Sequence, residues 1–344
     1  MPRLTRFQKI RQSRPFLLIA LTVLVLLILL LNNGKEVFNG GNATQLMNRL
    51  SYQGLFVTAM ACLLMSGGFD FSIASQAALC TIFFADFVTF YPNVPWIVFA
   101  LVVMAMAACM GLINAFFSQV LNLMPFICTI GMSSVWLGVA NWYSRGLAKA
   151  VNVQSFSAVA SSRLFNSPIP LTFVFMILVI VLYSLLLKYT RFGRSVMVAG
   201  GNPTAARLAG LDPRKIKTAL YVNASVIAVI AGLIYTAQQR SAATGGLPQA
   251  TPEMRGLTSS MLGGVSFMGG AGGLTGAFFG IILIETLAYS LTIMNLPAWF
   301  VLFVNGMLLV VALTVDSVAT KTRMRRLGIR SSGAGGMVMP GMSR

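Results

Sequence analysis

Long stretches of this chain are almost free of charge. Between Ser51 and Ser144 the only acidic or basic residues are Asp70 and Asp86, and between Gly256 and Val315 the only one is Glu285. A soluble domain carries about 25% charged residues. Here they make up 9%, against 57% hydrophobic residues and a mean hydropathy of +0.81. One water-excluded core cannot hide that much apolar surface. The pattern predicts an all-α polytopic membrane protein.

A bilayer core about 30 Å thick needs roughly 20 apolar residues per helix. Candidate runs fall at 15–31, 50–66, 71–91, 96–118, 123–144, 168–187, 218–238, 256–269, 272–293 and 297–315, about ten spans, some of them short. The first follows Arg3, Arg6, Lys9, Arg11 and Arg14 and has no small-residue cleavage site after it. It is expected to remain as an uncleaved span with its N-terminus in the cytoplasm. Six spans then return the chain to the cytoplasm at its one long charged loop, 188–217. Four more return it for a tail holding Lys321, Arg323, Arg325, Arg326 and Arg330. All the basic clusters share one side, as the positive-inside rule asks. The expected organisation is a basic cytoplasmic N-terminus (1–14), a single transmembrane domain (15–317) and a basic, flexible cytoplasmic tail (318–344). The net charge of +18 sits at span edges, where it sets topology, so no nucleic-acid partner is expected.

The absence of His excludes a His general base and any His-ligated metal. Cys62, Cys80, Cys109 and Cys128 lie singly in apolar stretches without C-x-x-C spacing and read as small buried residues. No catalytic pair and no metal site are expected. No G-x-x-x-x-G-K-[ST] loop occurs, so ATP-Mg, if used, belongs to a partner subunit. A carboxylate at mid-membrane costs about 2.5–3.5 kcal/mol and is a functional candidate by default. Asp70 lies at a span end beside Gly67-Gly68, where capping the next helix is the favoured role. Asp86 is expected near the outer end of its span, exposed at the interface. Glu285 is nearest mid-span; its structural alternative is a protonated or hydrogen-bonded contact between helices.

Glycines concentrate at Gly263-Gly264, Gly269-Gly270, Gly272-Gly273, Gly276 and Gly280, and Ser66-Gly67-Gly68 interrupts an earlier run. Such doublets fit broken helices lining a path or, equally, tight turns between short spans. In the basic loop, Asn202 is a good N-cap, Pro203 fits the first helical position and Gly210 fits the left-handed position after the end. They bracket a short helix, about Pro203 to Ala209, through Thr204, Ala205, Ala206, Arg207 and Leu208. Asp212-Pro213 repeats the device at the next span. A two-turn helix of small apolar residues held on the cytoplasmic face is expected to be a docking knob.

The segments Thr190 to Arg194, Ala199 to Asn202, Ala205 to Gly210 and Lys215 to Lys217 resemble the loop of ribose-type ABC sugar permeases. Ser66-Gly67-Gly68-Phe69-Asp70-Phe71-Ser72 is similar to that family's SGGIDLS motif, Pro125 to Met132 to its PAFIATLGM motif, and Gly263 to Ala277 to its later glycine motif. The resemblance runs from about residue 50 to 316. It implies about ten helices per subunit, a second permease copy around a central pathway, a periplasmic solute-binding protein, and a cytoplasmic ABC ATPase gripping a loop helix at Pro203 to Ala209. Phe69 and Phe71 stand where the family has Ile and Leu, Ile73-Ala74 where it has Val-Gly, and Arg255 where it has Asp. An Arg-Gly pair is replaced near Trp136-Leu137-Gly138.

The leading expectation is the inner-membrane permease subunit of an importer for a sugar or small polyhydroxylated solute. Pathway candidates are Ser66 to Ser72 together with Gly263, Gly264, Gly269 and Gly270. Outer loops 145–167 and 239–255, with Arg145, Lys149, Arg163, Arg240, Glu253 and Arg255, are expected to meet the binding protein. An ion-coupled carrier is the alternative, with Asp70, Asp86 and Glu285 as its acidic candidates. A passive channel is the next. Trp136, Trp142, Phe69 and Trp299 either stack on solute or pack.

Overall fold

The structure, a computed structural model, describes residues 14–33, 40–245 and 251–326. The basic segment before residue 14 and the tail beyond 326 lie outside the described residues. In chain order the helices are α1 (Arg14–Asn33), α2 (Gly40–Met65), α3 (Ile73–Phe90), α4 (Trp96–Ala115) continued by a π turn (Phe116–Val120), and α5 (Pro125–Ser144). Then come α6 (Gln154–Ser161), α7 (Leu171–Tyr189), α8 (Arg191–Gly201), α9 (Pro203–Leu208) and α10 (Pro213–Gln239). The last are α11 (Pro252–Leu262), α12 (Leu274–Ile293) and α13 (Ala298–Arg326). A two-residue hairpin pairs β1 (Lys149–Ala150) with β2 (Ser241–Ala242). Five helices are long and apolar enough to cross a membrane by length and composition: α3, α4 with its π turn, α7, α10 and α12. Shorter apolar stretches lie in α1 and α13.

The centre of the bundle is α2, buried from Leu50 to Met65 without a break and packed against α7, α10, α11 and α12. Because protein and not lipid surrounds it, this helix can carry Ser51, Gln53 and Thr58 in its middle. Elsewhere small residues set the spacing. A Cβ on Gly111 of α4 would lie 2.8 Å from Val222 Cα and 2.9 Å from Tyr221 O of α10. Close backbone approach of this kind is how helices associate where lipid supplies no hydrophobic drive.

The caps read from the sequence are present. Asn202 Oδ1 accepts from the backbone N–H groups of Thr204 (3.1 Å) and Ala205 (3.0 Å). At the other end of α9, Leu211 N–H donates to Ala206 O (2.9 Å) and Gly210 N–H to Arg207 O (3.0 Å), with Gly210 at φ 77°. That is a Schellman ending. Asp212 Oδ1 accepts from Arg214 N–H (3.0 Å) and Lys215 N–H (3.4 Å) and starts α10.

Four expectations need correction. The run 256–269 is no full span: α11 has 11 residues, about 16 Å of helix, and a non-helical glycine loop follows it from 263 to 273. The basic loop holds a second helix, α8, which the glycines at 193, 200 and 201 conceal. Residues 318–326 continue α13 as helix, where a tail was expected. Cys109 is exposed, unlike Cys62, Cys80 and Cys128.

Candidate functional site

The two glycine-interrupted segments, far apart in sequence, meet at one end of the bundle. Gly270 N–H donates to Met65 O at 2.9 Å, joining the 263–273 loop to the end of α2. Gly200 of α8 fills the same spot: a Cβ there would lie 2.8 Å from Gly270 N and would collide with Met65 O. A Cβ on Gly269 would come within 2.7 Å of Gly67 N and 2.9 Å of Gly200 O. Gly67, Gly200, Gly269 and Gly270 thus form a backbone-to-backbone knot: a Cβ would clash at Gly200, Gly269 and Gly270, and Gly67 is favoured by its φ of 73°. Helix α9 follows directly on α8, so the knot ties both loops to the capped helix. Within α9, Ala206 is fully buried and faces the protein, while Leu208 is 86% exposed.

Asp70 lies just beyond the knot, with no exposed surface. Its Oδ1 accepts from Ser72 N–H (2.8 Å) and Ser72 Oγ (2.6 Å); its Oδ2 accepts from Asn114 Nδ2 (2.9 Å) and, more weakly, Gln76 Nε2 (3.5 Å). Asp70 therefore takes one backbone N–H at the start of α3, in the manner of a cap, and also clamps α4 to it. The rings beside it bridge the loops. Phe69 stacks on Phe267 with centroids 5.4 Å apart, and Phe71 meets Phe126 edge-on at 5.4 Å. The two departures from the Ile and Leu of the resembling motif are thus joined to each other and to the glycine loop by aromatic contacts. Serine Ser66 turns inward, its hydroxyl donating to Leu63 O at 2.6 Å.

Deeper along α11, Arg255 Nη1 donates to Glu285 Oε1 at 2.6 Å; the Glu285 side chain is fully buried and that of Arg255 is 14% exposed. This pair sits beside a polar cavity of about 620 Å³ lined by Gln45, Asn48, Arg49, Tyr52, Tyr235, Gln238, Gln239 and Arg255. Its volume is that of an ordinary small-molecule site. Tyr52 and Tyr235 meet edge-to-face at 5.2 Å on one wall. Arg49, which also lines the cavity, lies over the Tyr289 ring, 5.3 Å from its centroid.

The comparisons with known proteins bear on what such a bundle does. Residues 42–313 match the family described as the permease component of branched-chain amino acid transport systems. The chain belongs to this permease family. Among curated relatives, the galactose/methyl galactoside import permease MglC of Haemophilus influenzae is 26% identical over 86% of this chain and 92% of its own length. The L-arabinose transport system permease AraH of Escherichia coli is 29% identical over 80% and 82%, and the ribose import permease RbsC of Bacillus subtilis 27% over 88% and 91%. No solved structure matches the chain significantly. The permease is a multi-pass protein of the inner membrane, a transport subunit and not an enzyme.

The permease does not place its expected rim residues together. Arg145, Arg163 and Arg240 are exposed and share the end that carries the β-hairpin, opposite the knot. Lys149, in β1, is bound to Asp86 of α3 at 2.5 Å and lies over the Tyr143 ring. Asp86 is therefore buried and paired, where interfacial exposure was expected. Glu253 and Arg255 belong to α11 and not to an outer loop, and Arg255 is engaged with Glu285. Glu285 itself is the interhelical contact that was its structural alternative. The tryptophans take no part in the polar cavity, whose aromatic wall is tyrosine. Trp142 and Trp299 are 81% and 68% exposed on the bundle surface.

The cavity was legible in one respect. Gln45, Asn48, Arg49 and Tyr52 follow at i, i+3, i+4 and i+7, a single helix face. A span begun at residue 50 cuts through that face, and the pattern is lost. The Asp70 partners Gln76 and Asn114 carried no local signal, since one lies a helix turn ahead and the other on α4.

Replacing Asp70 by Asn is expected to destabilise the permease by about 1–3 kcal/mol, because the new amide sets a donor against the Asn114 amide in a buried site. Thermal unfolding in detergent measures this. An unchanged midpoint would show that the Asn114 amide had simply turned over.

Proposed function

We propose that this permease is the membrane subunit of an ATP-driven ABC importer carrying a sugar or small polyhydroxylated solute. The names of the galactose, arabinose and ribose import relatives support that substrate class. In this reading the chain makes ten passes, α11 with its glycine loop supplying the eighth, and the single transmembrane domain puts both termini in the cytoplasm. Two permease copies, identical or different, face each other in the lipid around the pathway. A cytoplasmic ATPase, which holds ATP-Mg, grips Asn202 to Gly210. A periplasmic binding protein docks at the opposite end on Arg145, Arg163 and Arg240.

The observation that carries the proposal is α9. It is fixed at both ends by caps and anchored by Ala206, it presents Leu208 outward, and it is joined through α8 to both glycine loops. An isolated two-turn helix is marginal in water, so its rigidity comes from this seating. ATP-driven movement of the gripped helix would reach the Ser66–Ser72 and 263–273 segments through the knot, and there switch access to the pathway. Asp70, Asp86 and Glu285, the acidic candidates for an ion-coupled carrier, are each engaged by a donor within the bundle.

The test is affinity purification of the complex from its native membrane. Wild-type permease is expected to bring down a P-loop ATPase, and Leu208→Asp to lose it while the permease keeps its melting temperature. Ala206→Asp is the wrong probe, because it buries a charge beneath α9 and would unseat the helix. Recovery of the permease without any ATPase, together with solute uptake in ATP-free vesicles, would overturn the proposal.

A further inference from the structure

We infer that the polar cavity between α2, α10 and α11 receives the anionic group of the transported solute, so that the substrate is an acidic polyol such as a sugar acid and not a neutral sugar. This rests on the importer reading above and narrows it. Among the described residues the cavity is lined by two guanidinium groups, Arg49 and Arg255, and by no carboxylate; Arg255 is held from behind the wall by the buried Glu285 at 2.6 Å. Arg49 forms none of the ion pairs among the described residues; its guanidinium is half-buried and lies over the Tyr289 ring. Glu253, two residues before Arg255, does not line the cavity. Among the described residues the Arg49 charge is therefore without a paired carboxylate, in a cavity whose rim, Gln45 and Gln239, is exposed.

An ionisable residue that faces a cavity of a membrane bundle is a functional candidate by default, and an unpaired guanidinium there offers its charge to an anion. Guanidinium presents a planar fork of donors that fits a carboxylate. The remaining walls suit a polyol. Asn48 Oδ1 is buried with no hydrogen-bond partner, leaving an acceptor for a hydroxyl. Gln238 extends its amide from α10 next to it, bonded to Asn48 O at 3.1 Å. The half-buried Tyr235 ring, backed by Tyr52, offers an apolar surface on which a sugar ring would pack.

The experiment uses the whole complex, with its ATPase and binding protein, in vesicles of phosphatidylcholine alone. Uptake is measured for labelled gluconate and galacturonate beside glucose and galactose, in wild type, Arg49→Gln and Arg49→Lys. The acids are expected to be carried in preference to the neutral sugars. Arg49→Gln is expected to raise the half-saturating acid concentration roughly 10- to 100-fold, as loss of a hydrogen bond to a charged group does, with Arg49→Lys intermediate. Uptake of neutral sugars alone, or an acid affinity untouched in Arg49→Gln, overturns the inference and leaves the importer reading intact. If Arg49→Gln does not fold, the wild-type comparison of acid with neutral sugar still decides. Retention of an anionic lipid by wild type and not by Arg49→Gln, with no acid uptake, assigns the cavity to a headgroup and overturns the inference. Loss of all ATP-dependent uptake, with no ATPase in the complex, sinks both readings together.

Discussion

Glu285→Gln is expected to lower the stability of the detergent-solubilised permease by about 3–5 kcal/mol, the loss seen when one partner of a buried ion pair is removed. Glutamine keeps the shape and one oxygen, so no cavity opens; what it leaves behind is the Arg255 charge, 14% exposed and without its only carboxylate. The packing around the pair amplifies the loss. Glu285 sits on α12 and Arg255 on α11, so the bond fixes the half-helix against the longer one. Removing both charges with Arg255→Met and Glu285→Leu is expected to recover most of the stability, because well-packed apolar residues replace buried pairs at little cost. Thermal unfolding of the three variants checks this. A Glu285→Gln protein melting within a degree of wild type would mean that some other group compensates Arg255.

The second large effect is expected at Gly200. Alanine there drives a methyl group against Met65 O and to within 2.8 Å of Gly270 N, and neither neighbour is a flexible side chain. Overpacking of this kind costs about 1–3 kcal/mol where a side chain can move aside, and backbone yields less readily. The structure relieves the clash by parting α8 from the end of α2 and breaking the 2.9 Å bond between Gly270 N–H and Met65 O. Gly200→Ala is thus expected to expose the 263–273 loop to protease and to abolish uptake, although the residue touches neither solute nor lipid. Gly306→Ala is the matched control: nothing lies within 4 Å of a Cβ there, and alanine in an open helical position is mildly stabilising. Equal protease resistance in wild type and Gly200→Ala would remove the knot from the coupling route.

What could be read from the residues alone was whatever depends on local chemistry. The charge-free runs predicted a membrane bundle because the bilayer acts on each segment separately. The capped α9 and the start of α10 were readable because a cap is a contract between neighbours: Asn202 with Thr204 and Ala205, Asp212 with Arg214 and Lys215. The family motifs were readable for the same reason, each lying within a short stretch.

Three features escaped because they depend on partners distant in sequence. A single-residue view of Arg255 places it near an outer loop. Only the packing of α11 on α12 brings it to Glu285, 30 positions away, and turns two awkward charges into one ion pair. Lys149 and Asp86 make the same point across 63 positions. The glycines announced close approach or tight turning but not which of the two. The tertiary structure shows both, with positive φ at Gly67, Gly269 and Gly270 and backbone contact among them and Gly200. The cavity was the least legible of all, since its walls come from three helices and an empty volume has no residue of its own. Sequence by itself determined the solvent, the helices and their caps, because these are settled between near neighbours and the surrounding medium. Which charges are neutralised, which glycines touch and where a polar space remains were decided only by how the helices pack.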